Sequence, residues 1–239
     1  MREILRFLGR GSAFTDENNS AFFTSGNELV LTDLPMSSFC KLRRYGPDTL
    51  SGKENCDITV LVTHTHGDHT GGIATLIHYT FYVIKRKVTV IAPSQEVADD
   101  LRLLIERLEG CCPESFELVT ANEANRPWLK DVIPTHHAPQ LEGRCFGYRF
   151  CIDGENVVYT GDTAVIEPFL PYLEKGTYLY SDSSAYNSGV HISVHELIEK
   201  TAGLDIHLYL MHLDDPEKIL AAAAGTGAQL APLFGQQSC

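Results

Sequence analysis

Short hydrophobic stretches alternate with amphipathic segments along most of this chain. Stretches typical of β-strands lie at 4–8, 21–24, 29–32, 59–63, 87–92, 131–135, 145–152, 156–160, 177–180 and 207–211. Helical spacing of apolar residues predicts helices over 95–108 and 193–201, and a further helix is expected to begin near Gly71 and Gly72. Alternating strands and helices predict an α/β fold built from packed layers.

Two regions lack a regular spacing of hydrophobic residues. Residues 35–57 mix Pro, Ser, Gly and Cys, which predicts a loop that either covers another element or is mobile. The run Ala221-Ala222-Ala223-Ala224 lies near a C-terminal part predicted to be weakly structured. No repeat or linker divides the rest of the sequence, so residues 1–239 are predicted to form a single domain.

Composition narrows the possible classes of function. The 239 residues are 44% hydrophobic and 21% charged, as in globular proteins. A formal net charge of −12 disfavours a broad nucleic-acid-binding surface, whereas a small ligand fits this balance. Seven cysteines without a C-x-x-C pair favour a reducing compartment. Because neither a membrane span nor a secretion signal is evident, we expect a cytoplasmic protein without membrane contact.

The densest chemical feature is the segment T-H-T-H-G-D-H at 63–69, which follows a predicted buried strand. Its three imidazoles and one carboxylate offer the nitrogen and oxygen ligands that zinc takes. In extended backbone His64 and His66 point to the same side, so one metal ion could take both. A turn at the glycine could direct Asp68 and His69 to a second ion. One loop is therefore predicted to serve two ions.

Two ions need more ligands than one loop supplies. Further candidates stand just past the ends of three later apolar strands, where α/β folds gather functional groups. They are His136 and His137, Asp162, and His212.

The H-x-H-x-D-H pattern of the loop resembles the signature of the metallo-β-lactamase superfamily, and the order of the later candidates also matches. The resemblance implies a four-layer αββα sandwich and a centre of two divalent ions, zinc or manganese. By this resemblance, the first ion is held by His64, His66 and His137, the second is held by Asp68, His69 and His212, and Asp162 bridges both. The segments P-T-H-H-A-P at 134–139 and G-Y-R at 147–149 resemble the ribonuclease Z branch, which favours His137, with His136 as the alternative.

Three residues are candidates for catalysis through the same resemblance. Retention of Asp68, with no cysteine among the ligands, is similar to hydrolases of phosphodiesters and thioesters. His191 and Asp182 lie in segments that resemble the H-S-T and H-E-A-T elements of ribonuclease Z-like phosphodiesterases, although Ser181 replaces a histidine of that pattern. His191 would stabilise the phosphoryl oxygens or protonate the leaving alkoxide, and Asp182 would orient it. Asp33 is a candidate carboxylate behind a ligand histidine, or else a turn carboxylate.

The spacing of the ligands bears on the substrate. Enzymes of this branch that process tRNA carry a long arm between the third-motif histidine and the bridging aspartate, whereas only 24 residues (138–161) lie between His137 and Asp162. This disfavours tRNA as a partner. The compact arrangement is similar to cyclic-nucleotide-degrading members, including the anti-Pycsar hydrolases. We therefore expect a phosphodiesterase that hydrolyses 3′,5′-cyclic nucleotides to linear nucleoside monophosphates by attack of a metal-bridging hydroxide.

Several alternatives remain open at this point. They are a nuclease for RNA 3′ ends, a metal hydrolase of another ester, lactone or phosphonate, and a metal-dependent protein that binds a nucleotide without turnover.

Members of this branch are commonly homodimers in which a loop of the neighbour completes the pocket. Residues 35–57 are the candidate for such a loop.

Overall fold

The computed structural model describes residues 3–235. Within them the chain divides into two compact units, the first formed by 3–9, 16–125 and 232–235 and the second by 10–15 and 126–231. Each unit contains one six-stranded sheet and its helices. The single domain over residues 1–239 stays a prediction.

The sheet of the first unit starts as an antiparallel meander and continues as a parallel sheet. Its strands are β1 (Arg6–Gly9), β2 (Ser20–Ser25), β3 (Glu28–Thr32), β4 (Asp57–Leu61), β5 (Val88–Ala92) and β6 (Phe116–Thr120). They lie in chain order, with β1 to β3 antiparallel and β3 to β6 parallel. Because Thr32 of β3 pairs with Leu61 of β4, the segments that follow these two strands leave the sheet at the same edge.

Six helices accompany this sheet. They are α1 (Met36–Tyr45), α2 (Pro47–Ser51), α3 (Gly67–Thr70), α4 (Ile73–Tyr79), α5 (Gln95–Arg102) and α6 (Ala121–Ala124). Two π-helical stretches, Thr80–Ile84 and Leu103–Leu108, extend α4 and α5, and Pro113–Ser115 forms a 3-10 turn. The start of α4 approaches the backbone closely, since a Cβ atom at Gly72 would lie 2.7 Å from the carbonyl oxygen of Pro35.

The prediction of a loop over residues 35–57 is wrong, because α1 and α2 occupy most of it. Helix α1 buries Ser38, Phe39 and Leu42, which are spaced at helical intervals. Pro47 stands in the first turn of α2, a position that suits its fixed φ angle and missing N–H. Both helices are short, so their stability depends on tertiary packing more than on their own propensity.

The second unit repeats the same succession of strands. Its strands are β7 (Leu129–Pro134), β8 (Phe146–Ile152), β9 (Glu155–Tyr159), β10 (Tyr178–Asp182), β11 (His207–Met211) and β12 (Gln229–Leu230). Strands β7 to β9 pair antiparallel, and β9 to β12 pair parallel. The loops after β9, β10 and β11 therefore leave the sheet at one edge, the edge at which α/β sheets carry functional groups.

Two α-helices, α7 (Val194–Thr201) and α8 (Pro216–Ala223), and two 3-10 turns, Pro139–Leu141 and Leu170–Tyr172, belong to this unit. The side chain of Ser193 caps α7 by accepting a hydrogen bond from the backbone N–H of Glu196, and the helix predicted over 193–201 is confirmed. Residues 221–223 of the alanine run lie in α8, and the C-terminal part after it, which was predicted to be weakly structured, contains the short strand β12. Residues 236–239 lie outside the described part of the chain. The core of the unit is a cluster of buried apolar residues that includes Phe169, Leu179 and Leu210.

Among residues 3–235, no helix has both the length and the apolar character that crossing a membrane requires.

Candidate functional site

The histidine-rich loop of the first unit follows β4, which is buried from its second residue onward, and runs into α3. We call His64, His66, Asp68 and His69 the first cluster. Nε2 of His64 lies 3.0 Å from Nδ1 of His66, and Nε2 of His69 lies 3.4 Å from Oδ2 of Asp68. The rings of His64 and His69 have centroids 4.1 Å apart, and both residues are buried. The loop thus gathers four predicted ligands with their donor atoms close together.

Asp33 holds this loop in place from the end of β3. Its Oδ2 accepts hydrogen bonds from Nδ1 of His69 and from the hydroxyl of Thr63, each at 2.8 Å. Its Oδ1 accepts one from the backbone N–H of Thr63, also at 2.8 Å. Metal-binding histidines commonly donate their second ring N–H to a carboxylate in this way. The contact engages Nδ1 of His69, so Nε2 is the ring nitrogen that faces Asp68.

The second unit brings three of the later candidates together. His137 follows β7, Asp162 follows β9 and His212 follows β11. Oδ2 of Asp162 lies 3.2 Å from Nε2 of His212 and 3.7 Å from Nε2 of His137, and all three residues are buried. We call these residues the second cluster. One carboxylate oxygen therefore faces the Nε2 atoms of two imidazoles, as expected for ligands that converge on a metal ion.

The Nδ1 atoms of the same two histidines are held by the protein. Nδ1 of His137 donates to the carbonyl oxygen of Val190 at 2.7 Å, and Nδ1 of His212 lies 3.5 Å from Oδ1 of Asp182. These contacts orient Nε2 of each ring toward Asp162. His212 also has a left-handed backbone with φ of 54°, as Asp33 does with φ of 60°. Such strain in residues other than glycine is concentrated at functional sites.

Asp182 is a buried carboxylate at the end of β10 that serves two histidines. Its Oδ2 accepts a hydrogen bond from Nδ1 of His191 at 2.7 Å and another from the backbone N–H of Thr163 at 2.9 Å. Burial raises the pKa of Asp182, but His191 and His212 lower it by more, so the net shift of this pKa is downward. Burial lowers the pKa of His191, but the charges of Asp182 and Asp162 outweigh it and raise this pKa above its ordinary value.

The remaining candidates have different surroundings. The ring of His136 is 65% exposed and its Nδ1 lies 2.9 Å from Oε1 of Glu142, whereas the side chain of His137 is 4% exposed and lies beside Asp162. Ser181, which stands where the resembling pattern has a histidine, is buried and donates to the backbone carbonyl of Asp182. The contact between the backbone carbonyl of Val190 and His137 could not be predicted from the sequence, because every residue carries a backbone carbonyl.

The donor atoms of both clusters suit a divalent metal ion. They are imidazole nitrogens and carboxylate oxygens, which zinc and manganese accept and which the protein orients through the opposite ring nitrogens. In the second unit the donor atoms of His137, Asp162 and His191 lie within 4.8 Å of one another. His191 is nevertheless distinct from the other two, because its side chain is 22% exposed and its Nδ1 is bound by Asp182.

Comparison with known proteins adds independent information. The family described as anti-Pycsar protein Apyc1 matches residues 4–230 of the chain. The anti-Pycsar protein Apyc1 of Bacillus phage BSP38 is 26% identical over 245 residues, which cover 88% of this chain and 89% of that protein. The metallo-β-lactamase fold protein YhfI from Bacillus subtilis has a TM-score of 0.74 at 19% identity and 95% coverage of both chains. A diphosphatase of the PhnP family has a TM-score of 0.70 at 17% identity and 98% coverage of both chains. The predicted α/β fold of the metallo-β-lactamase type is confirmed.

Proposed function

Because this chain belongs to the family of the anti-Pycsar protein Apyc1 and is a metal-dependent phosphoesterase, we propose that it hydrolyses 3′,5′-cyclic nucleotides to linear nucleoside monophosphates. The observation that carries the proposal is the second cluster, in which one buried carboxylate oxygen faces two oriented imidazoles. The 24 residues between His137 and Asp162 hold the 3-10 turn Pro139–Leu141 and the hairpin β8–β9. This stretch has no room for a tRNA-holding arm, which favours a small phosphodiester.

The two clusters are proposed to supply a centre of two divalent ions, with zinc as the expected metal and manganese as the alternative. When bound, the ions activate the attacking water and stabilise the charge of the phosphoryl group. The proposed ligands are His64, His66 and His137 for one ion, Asp68, His69 and His212 for the other, and Asp162 for both.

His191 is proposed to act on the substrate directly. Its Nδ1 is held by Asp182, so its Nε2 is the atom that would meet the phosphoryl group or the departing alkoxide. Hydrolysis breaks the bond between phosphorus and the ribose oxygen, and this oxygen must gain a proton as it leaves. A fixed imidazole that donates to that oxygen lowers the barrier. Asp182 is a positioning residue, since its contacts are to His191, His212 and the backbone of Thr163.

Replacing Asp33 by asparagine tests whether this carboxylate supports the first cluster by orienting His69. We expect metal affinity to fall about 10- to 100-fold, because an amide is a weaker acceptor than a carboxylate for the Nδ1–H of His69. Competition with a chromophoric chelator measures this affinity. Asp57→Asn is the matched control, since Asp57 is an exposed carboxylate at the other end of β4. Equal affinities of the two variants would show that Asp33 does not support a metal ligand.

The proposed substrate class is tested by activity assays of the purified protein loaded with zinc or with manganese. We expect cyclic AMP, GMP, CMP and UMP to yield linear monophosphates with the wild type and not with Asp68→Ala, which removes a proposed ligand of the second ion. Two bound metal ions without turnover of any cyclic nucleotide would overturn the substrate assignment. Cleavage of a pre-tRNA or of a lactone under the same conditions would then identify the alternative class of hydrolase.

The homodimer and the cytoplasmic location remain predictions from the resemblance and the composition. If a dimer forms, residues 35–57 would contribute to it as the helices α1 and α2 and not as a loop. Light scattering coupled to size exclusion measures the mass in solution against the 26.5 kDa of one chain.

A further inference from the structure

The segment His212–Asp215, directly after β11, holds two exposed aromatic residues of the second unit in different ways: it binds the backbone beside one and the side chain of the other. They are Phe14, in the chain segment 10–15, and Tyr186, in the loop that also carries His191. His212 itself faces Asp162. One short segment thus connects a proposed metal ligand with the turn that carries Phe14 and with the side chain of Tyr186.

Phe14 lies in a turn with a fixed backbone. The backbone N–H of Leu213 donates to the carbonyl of Arg10 at 2.8 Å, and the N–H of Ser12 donates to the carbonyl of Leu213 at 3.0 Å. The turn is closed because the N–H and the hydroxyl of Thr15 both donate to the carbonyl of Ser12. Phe14 is fully exposed. The turn is therefore ordered, although the Phe14 ring is not packed in the core.

The ring of Tyr186 is half-exposed but held in one orientation. Its hydroxyl donates to Oδ2 of Asp215 at 3.2 Å and accepts a hydrogen bond from Nζ of Lys218 at 2.7 Å. The same Nζ lies 4.8 Å from the ring centroid, and the backbone N–H of Tyr186 donates to Oγ of Ser184. An aromatic ring that is already ordered loses little conformational entropy when a ligand stacks on it.

The loop that carries Tyr186 contacts the second cluster through one of its backbone carbonyls. It is closed at its base, where the N–H of Ser184 donates to the carbonyl of Ile192 at 2.9 Å. Asp214 holds its first half by accepting hydrogen bonds from Oγ of Ser184 and from the N–H of Ala185. In its second half, Val190 binds the ring of His137 through its backbone carbonyl. Tyr186 is thus part of the same closed loop that orients a proposed ligand and carries His191.

We propose that Phe14 and Tyr186 form an aromatic binding site for the base of the nucleotide substrate. This inference rests on the proposed function and adds the part of the protein that recognises the base. Stacking on aromatic rings uses the π-face that every purine and pyrimidine has, so it tolerates different bases. The site therefore accepts all four cyclic nucleotides, and it contributes to binding without taking part in the chemical step.

The test compares Phe14→Ala and Tyr186→Ala with the wild type on two substrates, cyclic AMP and ribose 3′,5′-cyclic phosphate, which lacks a base. For cyclic AMP we expect KM to rise about 5- to 100-fold in each variant, the loss that removal of a stacking side chain causes. The kcat for cyclic AMP, and both constants for the base-free substrate, stay within about twofold because the metal ligands and His191 are unchanged. Phe14→Trp keeps an aromatic ring and retains the low KM.

Tyr82→Ala is the matched control, because Tyr82 is an exposed aromatic residue of the first unit and is expected to leave KM unchanged. An active wild type whose KM for cyclic AMP is unaffected by Phe14→Ala and by Tyr186→Ala would overturn the base site and leave the proposed function standing.

A binding measurement keeps the inference testable without turnover. The affinities of the metal-loaded protein for AMP and for ribose 5-phosphate are compared by calorimetry. A preference for AMP that disappears in Phe14→Ala and in Tyr186→Ala supports the base site. Equal affinities for the two ligands in the wild type overturn it, whether or not cyclic nucleotides are hydrolysed.

Discussion

An Asp162→Ala variant is expected to bind neither metal ion and to show no phosphodiesterase activity. Oδ2 of Asp162 lies 3.2 Å and 3.7 Å from the Nε2 atoms of His212 and His137, and the side chain is buried. In the proposed centre this carboxylate binds both ions. Its removal takes away the negative charge that offsets two cations in a buried site. Metal content by mass spectrometry and turnover of cyclic AMP measure the two effects.

Loss of the fold must be separated from loss of the metals. Thermal unfolding of the metal-free wild type and variant is compared first, since the apo proteins differ only in the carboxylate. Asp205→Ala serves as the matched control, because Asp205 is a largely exposed aspartate of the same unit that pairs with Lys175. Retention of two ions by a folded Asp162→Ala protein would show that the bridging role is assigned to the wrong residue.

A His191→Ala variant is expected to keep a normal metal content and to lose about 100-fold or more in kcat. His191 is outside the proposed ligand set, so its removal leaves the seven ligands in place. Its ring lies close to those of His137 and His212, with centroids 4.8 Å and 4.9 Å away, so it is near the ligands of the proposed centre. Metal analysis and steady-state kinetics on cyclic AMP test both parts of this expectation.

The chemical role of His191 is resolved by changing the leaving group. A nitrophenyl phosphodiester releases a weakly basic phenolate that needs no proton, so a proton donor would be much less important for this substrate. A smaller loss of kcat on it than on cyclic AMP indicates a proton donor, and an equal loss indicates stabilisation of the phosphoryl oxygens. His195→Ala is the control, because His195 is an exposed histidine on the nearby helix α7. An unchanged kcat in His191→Ala would leave this residue with a structural role only.

Eight of the ten strands that hydropathy predicted lie inside the sheets, where neighbouring strands and packed layers bury the apolar side chains. All ten predicted stretches correspond to strands within two residues at each end. The two strands that were missed, β6 and β12, are edge strands. Their side chains are partly exposed, which weakens the apolar pattern on which such a prediction depends.

The helices were less predictable. Helices α1, α2 and α8 are short, and their sequences mix small and polar residues with few large apolar ones. In such segments the helix is stabilised by the surface on which it packs, and that surface is built from residues far away in sequence. The common topology of the two units, a meander followed by parallel strands, had no counterpart in a sequence repeat.

The types of ligand in the candidate site could be predicted from the sequence without knowledge of their geometry. Ligand type depends on side-chain identity and local spacing, so the loop at 63–69 and the strand-end positions of Asp162 and His212 sufficed to propose metal binding. The resemblance to a known family suggested the ribonuclease Z-like branch, the assignment of each ligand to one of two ions, and a catalytic role for His191. None of these required knowledge of contacts.

The contacts that orient these groups were decided by the tertiary structure. Neighbouring histidines with the same chemistry, His136 and His137, have opposite environments because one faces Glu142 on the surface and the other faces Asp162. The pairing of Asp33 with His69 joins the ends of different chain segments, as does that of Asp182 with His191 and His212. Distances of this kind are set by how strands are paired and loops are closed. A linear pattern therefore specifies which groups are present, and only the folded backbone specifies which of them meet.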